Sequence, residues 1–320
     1  MSSALAVIEA PALPAVVQAE MDAARAFALA EKSPATRRAY KSDFRHFTGW
    51  CADRSASPMP AAPDLVSAYL AALATGGTKA STIGRRAAAI RYAHRLAGHE
   101  PPTGQESVKA VMRGIRREIG TARTQKAPAT ADRIADMVRG IPDTLIGKRD
   151  RALLLLGFAG AFRRSELVAL TVADLAEAEG GLRVRIARSK TDQEGQGQEI
   201  AIPHGSRLRP VEAVRAWLAA AAITEGPVFR AVAKGGRVAA VGLSDRSVAA
   251  IVKHHAERTG LDPADYAGHS LRSGFLTTGA ENGASVFKLM EVSRHKSVDT
   301  LRSYVRRADL FRDHAGASFL

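Results

Sequence analysis

The chain has 320 residues, 46% hydrophobic and 24% charged, enough for about two domains of ordinary soluble composition. That composition excludes a wholly disordered chain and a collagen-like repeat. A single cysteine, Cys51, excludes a disulfide scaffold and a cysteine-built zinc cluster. Lys and Arg number 46 against 32 Asp and Glu, a net charge of +14 with a pI near 10.4. Such an excess is the electrostatic footprint of a nucleic-acid binder if it is concentrated on a surface, and merely a basic exterior if it is not.

Residues 1–31 are alanine-rich, carry Pro11 and Pro14, and set four acids against Arg25. They read as a flexible arm with at most one short helix. They lack the basic start and unbroken apolar stretch of a secretory signal. The longest apolar run in the chain, residues 152–162, is far below the roughly 18 residues a spanning helix needs. A reducing cytoplasm and no membrane partner are expected.

Residues 32–123 hold the charge, with sixteen Lys and Arg against six Asp and Glu. The segment reads as a helical bundle. Ser33 caps a helix with Pro34 in its first turn, and Tyr40, Phe44, Phe47 and Cys51 share one face of it. Arg37, Lys41 and Arg45 share another face. A second helix covers about 64–74 and stops at Gly76-Gly77. A third begins near Ser81 and carries Arg85, Arg86, Arg91 and Arg95. A fourth, about 107–119, buries Val108, Val111, Ile115 and Ile119 and displays Lys109, Arg113, Arg116 and Arg117. Charged stripes are commonly just solvated faces. Like charges at i and i+4 cost stability, however, and these have few acids among them, so an anionic partner, the DNA backbone, is the preferred reading.

Residues 120–130 have no apolar periodicity and read as a linker. The remainder, 124–320, predicts helices, then a small antiparallel sheet, then helices. Thr130 caps a helix bearing Ile134, Met137 and Val138. Leu182, Val184 and Ile186 alternate, as do Ile200 and Ile202, which predicts two strands joined by a long polar hairpin. Helices follow at about 208–222, 244–259, 270–280, 285–292 and 298–306.

Four places in this second part can carry chemistry. Arg163 and Arg164 end the most apolar helix, ahead of Ser165-Glu166-Leu167. They are expensive to bury without an anion, although arginine is also welcome at a helix C-terminus. Lys190 lies on the hairpin, as a proton donor or a solvated loop lysine. His269 and Arg272 stand at i and i+3, able to converge on one ligand, or are a helix-start histidine and a surface arginine. His295 precedes Tyr304 by nine residues. A tyrosine there is either core packing with a polar handle or a nucleophile among cations.

Taken in order, Arg-x-Ser-Glu-Leu, a hairpin lysine, His-x-x-Arg and His-(8 residues)-Tyr closely resemble the tyrosine recombinase (phage integrase) family. The stretches 268–275 and 295–304 are especially close. The resemblance implies a mainly α fold with a small antiparallel β-sheet, with a helical SAM-like core-binding domain (32–123) before a catalytic domain (124–320). It implies catalytic Arg163, Lys190, His269, Arg272, His295 and Tyr304, with Glu166 in support. The x-Ser-Glu-Leu spacing selects Arg163 over Arg164. The family's usual small residue before the second histidine is Arg294 here. Tyr304 would form a 3′-phosphotyrosyl ester, Lys190 would protonate the leaving 5′ oxygen, His269 would accept or organise the tyrosine proton, and His295 would donate to the phosphate. Two arginines can stabilise the charge that attack builds on the phosphate without a metal. No Walker loop and no acid cluster spaced for magnesium appears, so neither cofactor nor metal is expected. His254 and His255 diverge on a helix and read as facing solvent or DNA.

The expected partner is double-stranded DNA with a specific target site, bound by a tetramer of the chain, at the nucleoid of a bacterial cytoplasm. Phe311, Phe319 and Leu320 are candidate anchors for a tail docked on a neighbouring copy. The competing readings are a type IB topoisomerase, with a similar constellation, and a non-catalytic DNA-binding protein of the same fold.

Overall fold

In the computed structural model, residues 15–122, 125–187, 197–299, 301 and 304 are described. The chain divides into two compact units, Met1–Arg123 and Thr124–Leu320.

In the first unit, α1 (Ala15–Ala30) is a 16-residue helix, longer than the short one expected of the arm. Alanine has the highest intrinsic helix propensity, and most of the described side chains are exposed, Phe27 among them. Ser33 then caps α2 (Pro34–Ala52): its hydroxyl accepts the Thr36 backbone N–H at 3.3 Å, and Pro34 occupies the first turn. α3 (Pro63–Thr75), α4 (Ala80–Leu96) and α5 (Glu106–Ile119) complete the bundle. Phe47, Cys51, Val66, Tyr69, Leu70, Ile83 and Ile90 are wholly buried between them. Ile119, expected inside, is exposed, because the last turn of α5 runs past this core. His94 is buried as well. Its Nε2 accepts the Ala61 N–H at 2.9 Å, so Nδ1 must carry the proton it donates to the Ile90 carbonyl at 2.9 Å.

The second unit is built around α7 (Leu145–Ala159), whose run Leu153–Leu156 is buried on every side. α6 (Ala131–Arg139) precedes it. Thr130 occupies the cap position of α6 but its side chain makes no capping bond. The Ala131 N–H instead donates to the Thr278 hydroxyl at 3.0 Å. A short helix, α8 (Arg164–Ala169), follows, then an antiparallel sheet of β1 (Leu175–Ala178), β2 (Gly181–Ile186) and β3 (Gln198–Pro203) in the order β1-β2-β3. Leu182 pairs with Ile202 and Val184 with Ile200, so the alternating apolar residues share the buried face. α9 (Pro210–Ala220) packs on α7 and anchors Trp217, whose indole N–H donates to the Val228 carbonyl at 2.8 Å. A two-stranded ribbon, β4 (Arg230–Val232) and β5 (Val238–Gly242), leads to α10 (Asp245–Arg258), α11 (His269–Glu281) and α12 (Val286–Ser293).

One glycine sets the place of α11. A Cβ at Gly274 would lie 1.8 Å from the Ala129 carbonyl oxygen. The helix therefore rests directly on the backbone of residue 129, whose N–H donates to the Ser270 carbonyl at 2.9 Å. His255, expected to face outward, is buried. Its Nε2 meets the Asp150 carboxylate at 2.9 Å, and Arg149 holds the same carboxylate at 2.6–2.8 Å. His254 stays exposed beside it. Among the described residues no helix is long and apolar enough to cross a membrane.

Candidate active site

The α7 helix ends in a tight turn that aims two neighbouring arginines in opposite directions. Ala161 takes a left-handed conformation (φ 45°), and Arg163 becomes the N-cap of α8. The Arg163 backbone N–H donates to Glu166 Oε2 at 3.0 Å, and its guanidinium Nη1 to Oε1 at 2.5 Å. Arg164 turns outward to Asp245 at 3.0 Å and is half exposed. Arg163 faces the unit's interior, on the side where the other candidate groups gather.

His269 opens α11, and Arg272, one turn later, is 1% exposed. Arg272 Nη1 donates to the Ala161 carbonyl at 2.7 Å, and Nη2 reaches the His295 ring, with Nε2 at 3.1 Å. His295 follows α12. The single proton of Ser293 goes to the Leu289 carbonyl, so the Ser293 oxygen accepts from His295 Nδ1 at 2.8 Å. That leaves Nε2 unprotonated, as an acceptor for Arg272. Tyr304 sits on helical backbone beyond α12 and packs against a small apolar cluster of Leu276, Ala280, Leu289 and Leu301. Its hydroxyl stands 3.4 Å from His269 Nε2. The structure thus brings Arg163, Glu166, His269, Arg272, His295 and Tyr304 together. Lys190, the hairpin tip (188–196) and the tail with Phe311, Phe319 and Leu320 lie outside the described residues.

The electrostatics of this cluster favour an anion. Burial, then the charges of Arg163 and Arg294, push the Arg272 guanidinium down to about 9, which still leaves it protonated at neutral pH. Burial and then the flanking arginines lower both imidazoles, His269 below its usual value of 6.5 and His295 to about 3. Both rings are therefore neutral near pH 7, and His269 is able to take a proton. His295 carries one proton only, directed at Ser293, so a hydrogen bond from it to a phosphate requires that proton to be redirected. Burial alone would raise the Glu166 carboxyl. Arg294 and Arg163 more than offset this and hold it below the ordinary carboxylate range. Three guanidiniums surround one carboxylate, a surplus of positive charge that a bound phosphate would compensate.

Ser293 went unread in the sequence, and Arg294 was noted there without a role. Ser293 fixes the His295 tautomer, and nothing short of the fold reveals that a serine two residues before a histidine does so. Arg294, a departure from the family pattern, has its guanidinium buried against Glu166 at 2.8 Å.

Ten of the eleven basic residues singled out in the first unit divide into two groups, and the eleventh, Arg95, is exposed. Arg85 holds the buried Asp43 carboxylate with two bonds, 2.7 and 3.1 Å, and Arg86 approaches it at 3.8 Å. Arg91 bonds Thr103, at 3.1 Å to the hydroxyl, and Arg113 pairs with Glu106 at 2.5 Å. The expectation that these stripes lack acidic partners therefore fails for Arg85, Arg86 and Arg113, because Asp43 and Glu106, distant in sequence or two turns away, fold back onto them. Lys41, Arg45, Lys109, Arg116 and Arg117 are exposed and Arg37 is half-buried. An open cavity of about 450 Å³ runs between α4 and α5, lined in part by Arg91, Lys109, Arg113 and Arg116.

Known proteins resemble the chain along most of its length. Residues 129–310 match the phage integrase family and residues 27–100 its N-terminal SAM-like domain. The chain is 39% identical over 295 residues to an integrase/recombinase XerD homolog of Selenomonas ruminantium, covering 89% of this chain and 86% of that protein. It is 26% identical over 284 residues to the recombinase Cre of Escherichia phage P1, covering 83% and 82%. In fold it resembles the Tn1549 transposon integrase in complex with transposon right end DNA. The TM-score is 0.61 at 14% identity, over 89% of this chain and 95% of that one. A lambda integrase dimer bound to a core site gives 0.57 at 16% identity, over 86% and 89%. The chain belongs to the phage integrase, or tyrosine recombinase, family.

Proposed function

We propose that the protein is a site-specific DNA recombinase in which the second unit (124–320) cleaves and rejoins DNA through Tyr304 and the first (32–123) grips the duplex. The observation that carries this is the Tyr304 hydroxyl, 3.4 Å from the neutral His269 imidazole, beside a buried cation cluster. In cleavage the Tyr304 oxygen attacks a backbone phosphorus and passes its proton to His269 Nε2. The new oxygen–phosphorus bond forms as the bond to the 5′ oxygen breaks, leaving a 3′-phosphotyrosyl ester. Lys190 supplies the proton to the departing 5′ oxygen. Arg163 and Arg272 hold the non-bridging oxygens, where the loss of one such donor typically costs about 10²–10³ in rate. A 5′ hydroxyl from a second strand reverses the chemistry, so ligation needs no separate energy source. Exchange between two duplexes requires a tetramer of the chain on DNA, acting at the nucleoid.

The exposed Lys41, Arg45, Lys109, Arg116 and Arg117 are suited to phosphate contact. Arg91 and Arg113 join them where they line the cavity between α4 and α5, and the half-buried Arg37 of α2 adds a further cation. Arg85 and Arg86 spend much of their charge on Asp43 and contribute less.

The test is a nicked suicide duplex carrying the target site, with Tyr304→Phe as control. The expected result is a denaturation-resistant protein–DNA adduct in the wild type and none in the variant, with strand exchange on intact sites. An equal adduct in Tyr304→Phe overturns the assignment of the nucleophile. Adduct and supercoil relaxation without exchange moves the protein to the topoisomerase reading.

A further inference from the structure

Arg294 occupies a backbone position suited to glycine. It ends α12 in the left-handed region, at φ 57° and ψ 41°, where a side chain costs free energy that glycine avoids. The chain nevertheless places its longest cation there and buries the guanidinium to 1% exposure.

What the guanidinium touches explains the choice. Nη1 donates to the Gly160 carbonyl at 3.0 Å and the Val292 carbonyl at 2.6 Å. Nη2 donates to the Ala161 carbonyl at 3.1 Å and to Glu166 Oε2 at 2.8 Å. The guanidinium carbon lies 5.2 Å from the centre of the Phe162 ring. Apart from the Val292 carbonyl, these partners belong to the turn that delivers Arg163 or to the carboxylate that braces it. The Ala161 carbonyl also accepts from Arg272. Because Arg294 immediately precedes His295, one side chain fastens the Arg163 turn, the Arg272 contact and the His295 backbone together.

The charge arrangement has a second consequence. Glu166 offers Oε1 to Arg163 and Oε2 to Arg294. With Arg294 absent, a buried carboxylate would lean on Arg163 alone and neutralise much of the charge Arg163 presents to a ligand. With Arg294 present, the carboxylate is shared and a surplus of positive charge remains.

We propose that Arg294 is a positioning residue for the cleavage site. It sets the 160–163 turn and takes half of Glu166, so that Arg163 and Arg272 are held ready for a phosphodiester. This rests on the reading of Tyr304 as the nucleophile.

The experiment uses the full chain as wild type, Arg294→Gly and Arg294→Lys, with the suicide duplex as probe. Thermal stability, DNA affinity and the rate of adduct formation are measured for each. Glycine relieves the backbone and removes the fork, whereas lysine keeps a charge that cannot span the same four acceptors. Arg294→Gly is expected to form adduct about 10- to 100-fold more slowly, the range typical of residues that orient a reactive group through another, with DNA affinity unchanged. Arg294→Lys is expected to fall between it and the wild type. An Arg294→Gly protein that cleaves at the wild-type rate overturns the proposal. So does parallel loss of stability, affinity and cleavage in both variants, which would mark a folding residue. If Arg294→Gly alone fails to fold, Arg294→Lys decides. Slowed adduct at unchanged affinity supports the proposal and wild-type cleavage overturns it. Absence of adduct in the wild type defeats the cleavage reading itself, and the inference with it.

Discussion

At the residue scale, the site is a set of groups whose ordinary protonation has been shifted by burial and by one another. His295 shows it most clearly, with burial and then Arg272 and Arg163 lowering it to about 3. The consequence for stability has a definite sign. The unfolded imidazole begins to take up a proton as pH falls through 6.5, while the folded one stays neutral until far lower. Stability from this residue is therefore complete above about pH 6.5 and is lost progressively as pH falls toward 3. Urea denaturation of the protein alone at pH 7.5, 6 and 5 should show the wild type losing stability faster on acidification than His295→Gln. Equal slopes would mean that the ring is not held neutral. These shifts were invisible in the sequence. The motif placed His295 and Arg272 near one another, but the tautomer depends on Ser293 and Leu289, and the charge balance on Arg294 and Glu166, which are 128 positions apart.

At the scale of elements, helices were legible where caps and periodicity coincide. Ser33-Pro34 marked α2 and the 7-residue spacing of Val108 and Ile115 marked α5, because those signals are local. β1 was not foreseen. Its sequence Leu-Ala-Glu-Ala lacks alternation and β-branched residues, and only pairing with β2, Leu175 opposite Val184, makes it a strand. β4 and β5 are three and five residues long and largely unburied, so they too leave no hydrophobic period to read. The elements carry the site through backbone contacts that spacing cannot report. Gly274 is the sharpest instance, since α11 sits against the Ala129 carbonyl with no room for a methyl group. Gly274→Ala should lower stability by about 1–3 kcal/mol, the range for overpacking, and slow adduct formation because α11 bears His269 and Arg272. Calorimetry and the adduct assay check both. A variant as stable and active as wild type would show that α11 tolerates displacement.

At the scale of the whole molecule, the +14 charge separates into cations with different duties. Some are structural: removing Arg85 strips a buried Asp43 of its two-bond partner, so that loss would confound folding with binding. Exposed residues such as Arg117 suit counterion release on DNA, with each phosphate contact adding about 0.9 to the salt slope. Arg163 and Arg272 are largely enclosed, and in the proposed reaction they share one phosphate. The two-unit organisation and the basic bias of the first unit were legible in composition, but which cations are already occupied was not, because Asp43 reaches α4 only in the folded bundle. The decisive measurement sets DNA affinity across a salt series beside the adduct rate for Arg117→Ala and Arg272→Lys. Weakened binding with a shallower salt slope is expected for Arg117→Ala, its bound complex cleaving normally. Near-normal binding with cleavage reduced by about 10²–10³ is expected for Arg272→Lys. If both variants lost affinity and cleavage in the same proportion, the separation between cations that grip DNA and cations that serve Tyr304 would be contradicted.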